Sequence, residues 1–93
     1  MRIEITSRRY DASENLKEYI NKELTRLEKV FDRIINAKVT LEEIESGQMK
    51  VELLVNVPGK ALNSESSDAE ITKAIDQAVA KMQRQVKKYK EKL

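Results

Sequence analysis

The stretch "AKVTLEEIESGQMKVELLVNVPG", residues 37–59, decides the fold because apolar and polar residues alternate in two successive runs. A period of two is typical of a strand that buries one face, so residues 37–41 and 49–57 are predicted strands. The connection "EIESGQ" contains Gly47 and holds no core pattern, which indicates a turn. Because this connection is short, the two strands are predicted to be antiparallel neighbours. Pro58-Gly59 then predicts a second tight turn.

Two further strands flank this pair. "MRIEIT", residues 1–6, alternates so that Ile3 and Ile5 share one face of a half-buried strand. "KALNSES", residues 60–66, predicts a weaker strand, since Leu62 is its only large apolar residue.

Two long segments have apolar residues at helical spacing. The first starts either at a Ser13 N-cap or at a competing capping box of Asp11 and Glu14, and it runs to about Phe31. A second capping box, Ser67 with Glu70, predicts the start of the last helix. The apolar stripes comprise Leu16, Ile20, Leu24, Leu27 and Phe31 in the first helix, and Ile71, Ile75, Ala78, Val79, Met82, Val86, Tyr89 and Leu93 in the last.

The element order is therefore β-α-β-β-β-α, which predicts an α+β fold with one sheet and both helices on one face. No linker or repeat divides the chain, so residues 1–93 are predicted to form a single domain. The expected core includes Ile5, Leu24, Leu27, Val39, Val51, Leu53, Ile75 and Met82.

Composition disfavours several functions. The chain has no Cys and no His, which excludes disulfides and thiolate metal sites and leaves little support for catalysis. The acidic patch of Glu42, Glu43 and Glu45 is interpreted as a solvated strand end, so neither a metal nor a cofactor is expected. No apolar run is long enough to span a bilayer, and the N-terminus lacks a secretory signal, so a cytoplasmic protein is expected.

The net charge is only +2, from 18 basic and 16 acidic residues, but the basic residues are unevenly placed. At about 100° per residue, each helix carries a basic row beside its apolar stripe. The first-helix row is Lys22, Arg26, Lys29 and Arg33, and the last-helix row is Lys73, Lys81, Arg84 and Lys88. Helices lying side by side would let the rows border a groove that attracts phosphates. Lys17 and Lys87 are expected to lie outside the rows.

Other interpretations of the rows remain. Charged helix faces are most often simply solvated. An acidic protein partner is a second interpretation, and a membrane surface is disfavoured because the apolar stripes are needed by the sheet. With only Tyr10, Tyr19, Tyr89 and Phe31 as aromatic residues, recognition of structured RNA by backbone and shape fits better than base stacking.

Three stretches in this order resemble the ribosome hibernation-promoting factor and ribosome-associated inhibitor family. They are "LKEYINKELTRLEKVFDRI" (Leu16–Ile34), "VNVPG" (Val55–Gly59) and "AIDQAVAKMQRQVKKYKEKL" (Ala74–Leu93). The resemblance covers the whole chain. It implies a mixed four-stranded sheet with two roughly parallel helices on one face, similar to double-stranded-RNA-binding domains.

The resemblance also implies a function, which is to bind the small ribosomal subunit near the decoding centre, across the mRNA and tRNA sites, and to stop translation in idle ribosomes. Its partners would be the 16S-type rRNA and neighbouring ribosomal proteins, with no membrane and no small-molecule substrate. The implied rRNA contacts are both basic rows together with Lys90 on the last helix, and Arg8 and Arg9 after the first strand. Pairing of ribosomes and silencing of single ribosomes are both compatible with the family, and so are a short member and the first domain of a long one.

Overall fold

Four strands form one sheet in the order β1-β2-β3-β4 in the computed structural model, which describes residues 1–93 except for the side chain of Ser46. The strands are β1 (Arg2–Arg8), β2 (Asn36–Glu43), β3 (Met49–Val57) and β4 (Lys60–Asp68), and the helices are α1 (Glu14–Val30) and α2 (Ile71–Glu91). A short 3₁₀ turn, Glu45–Gly47, separates β2 from β3. The predicted α+β class and β-α-β-β-β-α order are confirmed.

The sheet is mixed. β1 pairs with β2 in parallel, with Ile3 opposite Ala37, whereas the β2–β3 and β3–β4 pairs are antiparallel. A parallel pair needs a crossover connection, and α1 supplies it. The two antiparallel connections each contain a glycine with a positive φ, 72° at Gly47 and 78° at Gly59, as tight turns between strands require.

One face of the sheet, the core face, carries the alternating apolar residues and is covered by both helices. Val51, Leu53 and Val55 of the central strand β3 are at most 2% exposed. Every expected core residue is buried except Ile5, which is half-buried. The reason is its position on β1, an edge strand with only β2 beside it.

The two helices run in the same direction. The Tyr19 hydroxyl of α1 donates to the carboxylate of Asp76 near the start of α2. At the other end, Lys90 Nζ of α2 donates to the Val30 carbonyl of α1 at 3.1 Å. Contacts of start with start and end with end confirm the predicted roughly parallel arrangement.

The two helix starts differ from one another. The Ser13 hydroxyl accepts from the Leu16 N–H at 3.1 Å, so Ser13 is the N-cap of α1 rather than the competing capping box. The Ser67–Glu70 capping box is wrong, because Ser67 belongs to β4 and Glu70 caps α2 without a side-chain bond. Asp68 takes over this role by accepting from the Glu70 N–H at 3.0 Å, and that backbone hydrogen bond lowers the pKa of its carboxyl.

Three element ends differ from expectation. β4 runs to Asp68 despite its polar sequence, because α2 satisfies its core-face serines: Ser64 Oγ donates to the Ala78 carbonyl at 2.9 Å, and Ser66 bonds Gln77. β1 continues to Arg8 rather than ending at Thr6. Leu93 leaves the apolar stripe and is 69% exposed, because α2 ends at Glu91 and no further turn holds Leu93 on the sheet.

Leu24→Ala should lower the free energy of unfolding by roughly 2–5 kcal/mol, the usual cost of emptying a buried leucine site. Leu24 is 1% exposed and packs in the core. Chemical denaturation would measure the loss. Glu18→Ala on the exposed face of the same helix is the control, and a similar loss in both variants would contradict this placement of α1.

Arg9 follows β1 with a φ of 55°, in the left-handed region that disfavours residues with a Cβ. Arg9→Gly should raise the free energy of unfolding by about 0.5–1 kcal/mol, because relief of roughly 1–2 kcal/mol of strain exceeds the larger entropy loss of glycine. Arg8→Gly, within the strand, should instead lower it by about 0.5–1 kcal/mol. Thermal unfolding of both variants would reveal the opposite signs, and equal losses would contradict the strain at Arg9.

The hydrogen bond to Asp76, aided by burial and by the charge of Asp76, raises the pKa of Tyr19 to about 12. The folded state thus holds the phenol proton more tightly than the unfolded state, so the interhelical bond stabilises the fold fully below the unfolded pKa of about 10. This contribution should disappear as the pH rises through about 12. Ultraviolet titration of tyrosinate should lose a step near pH 12 in Tyr19→Phe, and Asp76→Asn should shift that step downward. A Tyr19 titration unaffected by Asp76→Asn would show that the bond does not form.

Candidate nucleic-acid interface

The last-helix row extends from the outer surface of α2 to the flank of α2 that lies over β4. Lys81 Nζ donates to the Glu65 carbonyl of β4 at 2.8 Å, which fixes the direction of this flank. At about 100° per residue, Lys88 lies about 20° from Lys81 on the same flank, whereas Arg84 and Lys73 lie about 60° and about 80° from Lys81 and point outward, away from the sheet. The row therefore faces solvent and the β4 edge of the molecule.

The opposite flank of α2 faces α1. It is marked by Asp76, which bonds Tyr19, and by Lys90, which bonds the Val30 carbonyl. The last-helix row is therefore turned away from α1. The two rows do not border one shared groove, although the helices lie side by side as expected.

The first-helix row occupies the outer surface of α1. Arg26 follows Tyr19 by two turns and so lies on the flank toward α2, while Lys22 and Lys29 point further outward and are exposed. Arg33 is not on the helix, because α1 ends at Val30. It lies in the connection to β2 and is also exposed.

Three predicted residues from different elements meet at the ends of the helices. Lys29 of α1, Arg33 of the following loop and Lys90 of α2 line one open cavity of about 450 Å³, and we call them the three-cation cluster. Two carboxylates, Glu28 and Asp32, also line this cavity. The carboxylate of Glu28 already accepts from the N-terminal amine at 3.0 Å, so the cavity retains a positive character.

Most cations of the helical face are available to a ligand. Lys73 pairs with Glu70 at 3.1 Å and Arg26 with Glu23 at 3.5 Å, each within one turn of its own helix. The hydrogen bond to Glu70 raises the pKa of Lys73. Among the side chains that the structure describes, no carboxylate lies within 4.0 Å of the remaining predicted helical residues, Lys22, Lys29, Arg33, Lys81, Arg84, Lys88 and Lys90.

The other face of the sheet, the open face, has no net charge. The register places Arg8 beside Glu42, and Glu42 beside Lys50. Lys50 also pairs with Glu52 at 3.1 Å, and this hydrogen bond raises the pKa of Lys50. The charged residues of this face are Arg2, Arg8, Lys38 and Lys50 against Glu4, Glu42, Glu52 and Glu65.

Arg8 and Arg9 are not brought to the helical rows. Arg8 alternates with the core-face residues of β1 and so lies on the open face, next to Glu42. Arg9 is exposed at the end of that strand. Both lie at the end of the sheet where Met49 pairs with Asp68 and near which α2 begins. The three-cation cluster lies at the other end of the molecule, where the helices end.

Lys87 lies outside the last-helix row, as expected, but sequence reasoning did not indicate what it faces. It shares the α1-facing flank of α2 with Asp76 and Lys90 and is exposed. Its helical position was available from the sequence, whereas the direction in which α1 lies was not. Lys17 is placed as expected, away from the rows and paired with Glu14 at 3.5 Å.

Neither a metal-binding cluster nor a membrane-spanning helix occurs among the described residues. Among the described residues, no group of three or more His, Cys, Asp or Glu side chains comes together to hold a metal ion. In the same part of the chain, no helix carries an apolar run long enough to traverse a bilayer.

The chain is similar in sequence to known ribosome hibernation promoting factors. The chain is 33% identical over 92 residues to the ribosome hibernation promoting factor of Pseudomonas putida, covering 99% of this chain and 89% of that protein. It is 32% identical over 91 residues to the ribosome hibernation promotion factor of Deinococcus radiodurans, covering 94% of this chain and 48% of the longer relative.

Solved structures are similar throughout the fold. The Thermus thermophilus Protein Y N-terminal domain superposes with a TM-score of 0.88 at 31% identity and covers 96% of this chain and 99% of that domain. A ribosomal subunit interface protein from Coxiella burnetii gives a TM-score of 0.91 at 28% identity, covering 98% of this chain and 99% of that protein. The sequence model of one family, described as Sigma 54 modulation protein / S30EA ribosomal protein, matches residues 3–93. The chain therefore belongs to this family, which confirms the resemblance to ribosome hibernation promoting factors.

Proposed function

We propose that this chain binds the small ribosomal subunit near the decoding centre, blocks the mRNA and tRNA sites and so inactivates translation in idle ribosomes. Family membership supports the ribosome as the partner, since relatives are named ribosome hibernation promoting factors and a ribosomal subunit interface protein. The observation that carries the proposal is the contrast between a basic helical face and a neutral open face. The site of action is the cytoplasm, where translating ribosomes are found.

The helical face suits an RNA backbone. Exposed Lys and Arg side chains that lack carboxylate partners neutralise phosphates and release counterions, which drives association at moderate salt. The exposed ion pairs of Lys73 and Arg26 are weak and are easily exchanged for phosphate contacts.

Base stacking has little part in this recognition. The Phe31 ring packs edge-to-face on Tyr89 with centroids 5.5 Å apart, the Tyr89 hydroxyl bonds the Pro58 carbonyl, and Tyr19 bonds Asp76. These aromatic residues are thus engaged within the protein. Recognition by phosphate positions and RNA shape follows, and this is the mode that suits folded rRNA.

Inhibition in this proposal is steric and needs no bond-making chemistry. A folded body of 41 × 22 × 18 Å, held by one basic face, presents a neutral sheet to whatever approaches from the other side. The neutral face provides no attraction for a further RNA strand, so an mRNA or tRNA would be excluded rather than recruited.

Sedimentation with purified ribosomal subunits tests the proposal. The protein should sediment with the small subunit, should not sediment with the large subunit alone, and should reduce binding of mRNA and tRNA to the small subunit. Absence from the small-subunit fraction would refute the ribosomal assignment. It would favour the alternative of an acidic protein partner or another structured RNA.

Arg84→Ala and Lys88→Ala should each weaken binding to the small subunit and reduce the slope of log affinity against log salt by roughly 0.7–1. Each removes one cation of the last-helix row that contacts no carboxylate in the described structure. Sedimentation at several salt concentrations would measure both effects.

Lys38→Ala is the matched control. Lys38 is an exposed cation of the open face, so its loss changes the net charge equally without touching the helical face. It should leave the salt slope unchanged. If Lys38→Ala weakens binding as much as Lys88→Ala, the charge acts diffusely and the helical face is not the interface.

A further inference from the structure

The two edge strands of the sheet, β4 and β1, differ in whether other parts of the chain hydrogen-bond their outer backbone groups. On β4, the carbonyls of Asn63 and Glu65 lie two residues apart and so point from the same edge of the strand. The side chain of Gln85 donates to the first and that of Lys81 to the second, at 2.8 Å. α2 therefore occupies two of the backbone carbonyls that another strand would need in order to pair with β4.

The outer edge of β1 has no such cover. β1 pairs only with β2, and among the described residues no side chain or loop hydrogen-bonds a backbone group of Arg2–Arg8. The strand also lacks two of the devices that usually protect an edge, because it contains no proline and its register with β2 is unbroken by a bulge.

The side chains of β1 suit pairing on both faces. On the core face, Ile3 and Ile5 are only half-buried, since α1 leaves them partly uncovered. On the open face, Arg2 and Glu4 carry opposite charges on alternate positions. A strand with this pattern is complementary to an antiparallel copy of itself.

We propose that the free edge of β1 pairs with β1 of a second copy of this chain, antiparallel, about a two-fold axis at Ile3. Arg2 then lies opposite the partner's Glu4, and Glu4 opposite the partner's Arg2, forming two cross-strand ion pairs on the open face. On the core face, Ile3 meets the partner's Ile3 and Met1 meets the partner's Ile5. All apolar side chains stay on the helix-covered side of one continuous sheet.

Other registers are poorer. Because side chains alternate, a shift by one residue would put apolar residues opposite polar ones, so only shifts by two preserve the faces. The next such register sets Glu4 against the partner's Glu4, and the one after it sets Arg2 against the partner's Arg8. Like charges directly opposite one another destabilise a strand pair, which disfavours both of these registers. A register centred on Thr6 would pair Glu4 with the partner's Arg8, but it sets Ile5 against the partner's Ser7 and leaves Ile3 without an apolar partner. The register centred on Ile3 alone combines opposite charges on the open face with apolar contacts on the core face.

The pairing is separate from the proposed RNA interface. The last-helix row lies on α2, and its Lys81 bonds β4, at the far side of the sheet from β1. A dimer through β1 thus keeps the last-helix rows of both copies exposed at its two outer ends. The dimer can be tested without ribosomes, and its failure would leave the proposed function unaffected.

Sedimentation equilibrium of the purified protein, from micromolar to millimolar concentration, should reveal a monomer–dimer equilibrium. Glu4→Arg and Arg2→Glu each place like charges opposite one another, so each should weaken dimerisation at least tenfold. The double variant Arg2→Glu/Glu4→Arg exchanges the two charges and should restore it. Glu65→Arg on the opposite edge strand changes the net charge as Glu4→Arg does, and it should leave the equilibrium unaltered. Circular dichroism would verify that every variant is folded.

Hydrogen exchange supplies a second readout, since the outward amides of β1 should become protected as the concentration rises. A protein that stays monomeric at millimolar concentration would overturn the proposal. Three other outcomes would overturn it as well, because each would show that a different surface is used. They are a dimer that persists in both single charge-reversal variants, a double variant in which dimerisation is not restored, and a dimer in which the β1 amides stay unprotected.

Discussion

Only one face of the sheet carries apolar side chains, and this constraint determines the rest of the molecule. β3 buries five alternate residues on that face, from Met49 to Val57, so any helix that shields them must lie on that side. The parallel pairing of β1 with β2 returns the chain across the same face through α1, and β4 delivers α2 next to it. The outer surface of the helices and the open face of the sheet therefore become two chemically distinct sides of a thin body.

Sequence reasoning succeeded where a pattern reports directly on burial. The period of two in residues 1–6 and 37–57 predicted three strands, and the helical stripes predicted both helices, because the hydrophobic pattern is the cause of the burial. The fourth strand, β4, was predicted only as a weaker strand, since Leu62 is its only large apolar residue. Sequence reasoning failed where tertiary partners compete with local signals. Ser67 has the spacing of a capping residue, but pairing with Lys50 holds it in β4. Ser64 and Ser66 suggested a weak strand, whereas α2 offers them hydrogen-bond partners that the local sequence does not reveal.

The same distinction applies to the candidate site. A helical projection grouped the members of each row that lie on a helix, because the angle between residues on one helix is fixed by backbone geometry. It expected the rows beside the apolar stripes, whereas Lys22 and Lys29 point outward from α1, and Arg33 lies beyond the end of that helix. It also did not indicate which flank of α2 faces α1, and this choice turns Lys81 toward β4 and Lys87 toward α1. The meeting of Lys29, Arg33 and Lys90 depends on three separate elements, so no single periodicity predicts it.

The parallel course of α1 and α2 has an electrostatic consequence. Each helix carries a macrodipole with roughly half a negative charge at its C-terminal end, and side-by-side parallel helices bring the two like ends together. The resulting repulsion is greatest where α1 ends at Val30 and α2 at Glu91. Lys29 and Lys90 lie in the last turns there, and Lys90 donates directly to a terminal carbonyl of α1. The basic charge at this end is therefore partly used to neutralise the helices themselves, and a phosphate bound there meets a weaker field than the number of cations suggests. Lys81 and Arg84 of the last-helix row lie further from the end of α2 and act at closer to full strength, whereas Lys88 of the same row lies in the last turn.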